Sequence, residues 1–211
     1  MPENQFLDFI ERVTTPRRFQ HSLGVMRVMG ELAGVYNLDR ELAQTIGLLH
    51  DAGKDLSAET QEQLVAEGKI ETYFDCDRDY VLYFHGPVGA YFVQKELGMT
   101  DRLVLDAIRT HTFYGDGEHF HHPLVWCLRF SDLLEPTRSW TQWKWFQTGV
   151  ENLRRLVYAG HLTEGAFLQS SMQVRWLGEQ GFPVHPNIIR SSHEFAVQLN
   201  LDATYVERHT A

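Results

Sequence analysis

Apolar residues recur along this chain at three- and four-residue steps almost throughout, and nowhere do they alternate long enough to suggest a strand. The pattern predicts an all-α fold. Gln5 to Val13 forms a short amphipathic helix, stopped at Thr14-Thr15-Pro16, which also starts a long helix over Arg17 to Tyr36. Asp39 caps the next helix, which carries His50-Asp51 at its end, where Gly53 permits the turn. Further helices are expected over Ala58–Glu67, Pro87–Leu97, Arg102–His111 and Pro123–Leu134. Glu135-Pro136 marks the end of this block, and three more helices cover Trp140–Tyr158, Thr163–Glu179 and Pro186–Leu199. There is no internal repeat and no low-complexity segment, and the length fits one domain, residues 1–211.

Against this regular pattern, the stretch from Gly47 to Lys54 stands out. An apolar run, Ile46 to Leu49, ends directly in the imidazole of His50 and the carboxylate of Asp51. Burying a free carboxylate costs several kcal/mol unless it is paired or bound to a metal. Adjacent residues on a helix lie about 100° apart, so these two can grip one ion from two sides. Lys54 follows one turn later, placed to neutralise an anion held at that ion.

Four other polar residues fit the same site. His21 sits on the stripe of Val25, Val28, Met29, Leu32 and Val35. His85 precedes Gly86-Pro87, where the proline reads as the first residue of a helix. His111 shares a face with Val104 and Ile108, and Asp132 is in register with Leu124 and Leu128. Singly, each reads as a core residue satisfied by a nearby carbonyl or helix end. Together, four imidazoles and two carboxylates turned inward have no ordinary use in a core. Imidazole and carboxylate without thiolate suit iron, manganese, cobalt or zinc. Six protein ligands are too many for one catalytic ion that keeps an open position, and suit two ions sharing a bridging carboxylate.

The order His21, His50-Asp51, His85, His111, Asp132 resembles the HD-domain superfamily of metal-dependent phosphohydrolases in its two-metal form. The words Arg18-Phe19-Gln20-His21-Ser22-Leu23-Gly24-Val25, Leu48 to Leu56 and His85-Gly86-Pro87-Val88-Gly89-Ala90-Tyr91 are similar to those of the YqeK-type hydrolases. So are Ala107-Ile108-Arg109-Thr110-His111-Thr112, Ser131 to Arg138 and, more weakly, Val184-His185-Pro186. The resemblance implies an HD-domain helical bundle with a metal-binding core over about 18–138 and a helical extension over 139–211. It implies two divalent or trivalent metal ions, iron first among them, and symmetrical cleavage of diadenosine tetraphosphate into two ADP. His21, His50 and Asp132 are assigned mainly to one ion, His85 and His111 to the other, and Asp51 to the bridge. Two such ions activate a water at neutral pH and clamp the attacked phosphoryl oxygens. Asp51 and Lys54 are the catalytic candidates, and Arg18, Lys54, Arg109, Thr112 and Arg138 the substrate contacts. The chain departs from the family where Phe113-Tyr114-Gly115-Asp116 follows His111 and where Ser191-Ser192-His193 replaces a later Ala-Arg-Asn element.

A net charge of −9 argues against a general nucleic-acid binder without excluding a phosphorylated small molecule, since local cations and metals decide that encounter. Cys76 and Cys127 are too few for a disulfide framework and read as reduced packing residues. No signal peptide opens the chain and no stretch approaches the ~20 apolar residues of a membrane span, so a cytoplasmic enzyme is expected, monomer or homodimer. The cluster Glu118-His119-Phe120-His121-His122 lies in a Gly- and Asp-rich stretch and reads as a solvated loop near the active-site rim. Trp140, Trp143 and Trp145 read as packing between tail and core, with a base-stacking platform as the alternative. A nucleotidase or triphosphohydrolase acting on mononucleotides or alarmones would use the same metals. A nucleotide-binding regulator is the reading outside enzymes.

Overall fold

A computed structural model describes residues 4–67, 70, 81–115 and 118–201. Among these residues all regular structure is helical: α1 (Asn4–Val13), α2 (Pro16–Val35), α3 (Arg40–Leu49), α4 (Ala58–Ala66), α5 (Val81–Leu97), α6 (Arg102–Thr110), α7 (Pro123–Leu134), α8 (Lys144–Tyr158), α9 (Leu162–Glu179) and α10 (Pro186–Gln198). Cys76, Asp116 and Gly117 lie outside the described residues. No described helix is long and apolar enough to cross a membrane.

The helix starts are set by local chemistry. Thr15 caps α2 by accepting from Arg18 N, with Pro16 at the first helical position. Asp39, Ser57 and Asp101 cap α3, α4 and α6 in the same way. Helix α2 packs against α3 and α7, α5 against α6, and α9 against α8 and α10. One apolar core runs through the described chain, from Ile10 on α1 through Met29, Ile46, Ile108, Leu128 and Leu153 to Phe195 on α10. Burying each such side chain contributes about 1.5–3 kcal/mol. Val35, the last member of the expected α2 stripe, is exposed instead.

Two expectations about helix ends are corrected. Helix α5 does not begin at Pro87 but at Val81, so His85 lies within it and Pro87 is interior. An interior proline strips a hydrogen bond from the carbonyl four residues back, here that of Tyr83. The Thr112 hydroxyl donates to that oxygen at 3.2 Å, which replaces the missing N–H. Gly53, for its part, has no positive φ. Its requirement is close approach: a Cβ there would stand 2.4 Å from Gly89 N and 2.7 Å from His85 O. The absence of a side chain lets the His50-Asp51 turn lie directly on the backbone of α5.

Candidate metal centre and substrate cavity

His21 comes from the middle of α2, His50 and Asp51 from the end of α3, His85 from α5, His111 from the end of α6 and Asp132 from α7. All six converge. The donor atoms of His21, His50 and Asp51 lie within 4.8 Å of one another, as do those of Asp51, His85 and His111. The groups share Asp51, whose Oδ1 faces His85 Nε2 at 3.2 Å and His111 Nε2 at 3.7 Å. Its Oδ2 faces His50 Nε2 at 3.5 Å and His21 Nε2 at 3.7 Å. Asp132 Oδ1 stands 3.0 Å from His21 Nε2 and 3.6 Å from His50 Nε2.

The tautomers can be read from the other ring nitrogens. A carbonyl or carboxylate oxygen only accepts, so a ring nitrogen hydrogen-bonded to it must carry the proton. His50 Nδ1 donates to Gly47 O at 2.8 Å and His111 Nδ1 to Ile108 O at 2.7 Å. His21 Nδ1 donates to Glu135 Oε1 at 3.0 Å. In the neutral form of each ring this leaves a lone pair on Nε2: those of His21 and His50 face the carboxylates, and that of His111 faces His85 Nε2 at 3.1 Å. His21 Nε2 and His50 Nε2 are buried without a hydrogen-bond partner. The 3.0 Å approach of His21 to Asp132 therefore lacks hydrogen-bond direction. Lone pairs facing carboxylates repel unless a cation lies between them, so the donor set fits metal ions.

The protonation states of His50 and His85 agree with that fit, whereas burial of His21 is outweighed by Asp132 and Glu135, which hold it above its usual range. Burial holds the His50 imidazole below its usual range despite the Asp51 charge, and burial with the nearby Lys54 ammonium takes His85 down to about 3. Both rings are neutral near pH 7. Burial alone would push the Asp51 carboxyl up, but Lys54 and the surrounding imidazoles hold it well below the usual carboxylate range. Asp132 is held low in the same way, by Arg138 and by His21 and His50.

The other predicted residues divide. Lys54 Nζ lies 3.3 Å from both Asp51 oxygens, Arg18 Nη1 donates to Asp51 Oδ2 at 3.1 Å, and Arg138 Nη2 donates to Asp132 Oδ1. With Arg17, these cations line a cavity of about 760 Å³ that opens at His21 and also includes Glu135, Ser139 and Trp140. A smaller cavity of about 110 Å³ continues past Lys54, Arg138 and Trp140 to His85, His111 and Thr112. Arg109 is not brought into either. It faces Asp106 at 3.6 Å and lines a separate cleft with His119. The His-rich loop packs away from the six residues as well: His119 pairs with Asp106, His121 with Glu194, and His122 caps α7.

Two residues of consequence were missed in the sequence. Glu135, 2% exposed, holds His21 and also accepts from Thr137 N and Oγ1. Its signal was a carboxylate three residues after Asp132, just past the end of the same helix. Arg129 is a buried guanidinium 4.3 Å from the Trp126 ring centroid and 4.8 Å from that of Tyr114, donating to Thr110 Oγ1 beside His111. Burial lowers it to about 9, and no pattern in the sequence marks it.

A model of the HD domain family matches residues 18–158. The symmetrical bis(5'-nucleosyl)-tetraphosphatase of Bacillus subtilis (strain 168) is 31% identical over 156 residues, covering 74% of this chain and 77% of that protein. A protein of the same description from Halalkalibacterium halodurans is 26% identical over 203 residues, 94% of this chain and 99% of the other. Among solved structures, a predicted HD superfamily hydrolase involved in NAD metabolism from Clostridium acetobutylicum superimposes with a TM-score of 0.79 at 28% identity, covering 92% of this chain and 97% of that one.

Proposed function

Because this chain belongs to the HD domain family, we propose that it is a metal-dependent hydrolase that cleaves diadenosine tetraphosphate symmetrically to two ADP in the cytoplasm. The observation that carries the proposal is the pair of donor groups sharing Asp51, with unpartnered imidazole lone pairs, beside a cavity lined by Arg17, Arg18, Lys54 and Arg138. Relatives described as symmetrical bis(5'-nucleosyl)-tetraphosphatases support the choice of substrate.

His21, His50 and Asp132 would hold one ion, His85 and His111 the other, with Asp51 common to both; iron is the ion we expect. When bound, such ions supply a water acidic enough to attack at neutral pH and positive charge for the phosphoryl oxygens. The chain's own residues do the rest. Neutral His50 keeps its Nε2 lone pair available at pH 7, His85 stays uncharged beside His111, and ionised Asp51 presents one oxygen to each donor group. Lys54 neutralises a non-bridging phosphate oxygen as charge builds during attack. Arg18 and Arg138 orient the chain of phosphates with their planar forks. ADP is a good leaving group, so no side chain need act as a strong acid, and none serves as a covalent nucleophile.

Incubation of metal-loaded protein with diadenosine tetraphosphate, followed by nucleotide chromatography, tests this. ADP as the sole product is expected. Equal AMP and ATP would refute symmetrical cleavage, and rapid hydrolysis of dNTPs with no turnover of the dinucleotide would replace the substrate.

A further inference from the structure

The three tryptophans at the start of α8 and in the segment before it serve different purposes. Trp143 packs edge-on against Trp176, 5.7 Å between centroids. Trp145 donates from its indole to Glu179 and carries the Arg175 guanidinium 4.2 Å from its ring centroid. Trp140 is held differently. Its N–H is fixed on Leu133 O at 3.3 Å and Phe146 supports it from one side, 4.9 Å between centroids. Yet it remains half-buried, whereas Phe146 is 1% exposed. Its surface lines both cavities at the metal-ligand cluster, and no other Trp, Tyr or Phe among the described residues lines the larger one.

Trp143 and Trp145 are also only partly buried, so what sets Trp140 apart is the cation-lined cavity it faces. There the Arg138 guanidinium lies over its ring, 5.5 Å from the centroid. A phosphate held by Arg138 would thus lie beside an aromatic plane. We propose that Trp140 is the stacking platform for a purine base of the substrate, with Arg138 and Lys54 taking the adjoining phosphates. This rests on the nucleotide reading of the site. Stacking is tolerant of base identity and strong enough to matter.

The test is binding, using ADP and inorganic tripolyphosphate as probes on protein purified without chelator. Calorimetric titration of Trp140→Leu should show ADP affinity about 10-fold weaker, with tripolyphosphate affinity within about twofold of wild type. Trp140→Phe, which keeps a ring against Phe146, should recover most of the loss; melting temperatures check the fold of both. Independently, ADP should quench tryptophan fluorescence in the wild type and tripolyphosphate should not, and Trp140→Phe should abolish the difference. Equal losses for both probes, unchanged ADP affinity, or quenching that persists in Trp140→Phe would each overturn the assignment. Neither assay involves turnover. A protein that binds ADP with this signature but leaves diadenosine tetraphosphate intact would keep the platform and lose the proposed substrate.

Discussion

Replacing Glu135 with glutamine keeps the volume and removes one acceptor, and the consequence can be worked out atom by atom. Glu135 Oε1 accepts from His21 Nδ1 at 3.0 Å and from Thr137 Oγ1 at 2.7 Å, while Oε2 accepts from Thr137 N at 2.8 Å. The glutamine amide that takes the place of this carboxylate has one oxygen and one NH2. If the oxygen stays on Thr137 N, the NH2 meets the His21 Nδ1–H, and the ring must move its proton to Nε2. That converts the proposed ligand atom into a donor. If the amide flips, His21 is served but Thr137 N loses its acceptor, at a cost of about 1–3 kcal/mol. Partners of this kind typically contribute about 10–100-fold in metal affinity. Glu135→Gln should therefore weaken one ion by about that factor, lowering the measured stoichiometry from two toward one after dialysis, with the helical circular dichroism retained. Gly24→Ala approaches the same bond from behind, because its Cβ would lie 2.6 Å from Glu135 Oε2 and push the carboxylate off its partners. Metal analysis and titration on matched preparations provide the readout. Wild-type affinity for both ions in Glu135→Gln would refute the reasoning.

Gly53→Ala should be more damaging than its size suggests, since the new methyl meets backbone rather than a yielding side chain. A loss of about 1–3 kcal/mol or more is expected by urea unfolding, together with lower metal content; an unchanged midpoint would show that the α5 contact gives way. Lys54→Ala should leave both ions bound and lower kcat by roughly 10²–10³, with Lys54→Arg recovering only part; normal turnover would mean that Lys54 serves only to hold Asp51. Dialysis against a strong chelator should abolish hydrolysis and lower the melting temperature while the helices persist, and added iron or manganese should restore both. Full activity in the thoroughly chelated protein would remove the metal from the reaction.

What the sequence revealed was whatever local periodicity encodes. His21, His111 and Asp132 were legible because each is a polar group on an apolar stripe, and His50-Asp51 because it ends an apolar run; helix geometry carries such groups inward together. The start of α5 was not, because Gly86-Pro87 reads locally as a helix start. Pro87 is tolerated inside the helix through a hydroxyl from Thr112, a contact that no window around the proline contains. Arg109 illustrates the opposite error. Two positions from His111 means about 200° around a helix, so nearness in sequence carried its guanidinium to another face. Glu135 escaped notice since a carboxylate beside a helix end and a proline looks like an ordinary terminus. Its meaning depends on His21, more than a hundred residues earlier.

If the proposed function holds, the cations around Asp51 and Asp132 would connect metal binding to substrate binding. Considered as protein groups alone, Lys54 and Arg18 are directed at Asp51 and Arg138 at Asp132. A carboxylate that coordinates a metal gives up lone pairs and much of its negative potential, so these cations lose their partners as ions enter. All of them line the cavity, where a phosphate is the anion best matched to two guanidinium forks and an ammonium. On the proposed function, coordination of Asp51 and Asp132 would prepare Lys54, Arg18 and Arg138 to receive phosphate, and phosphate would in turn draw those cations away from the carboxylates. Linkage makes the coupling reciprocal: whatever factor the ions add to nucleotide affinity, the nucleotide adds to theirs. Without ions the same residues would neutralise one another, which keeps a strongly cationic cavity from forming before the chemistry that requires it is in place.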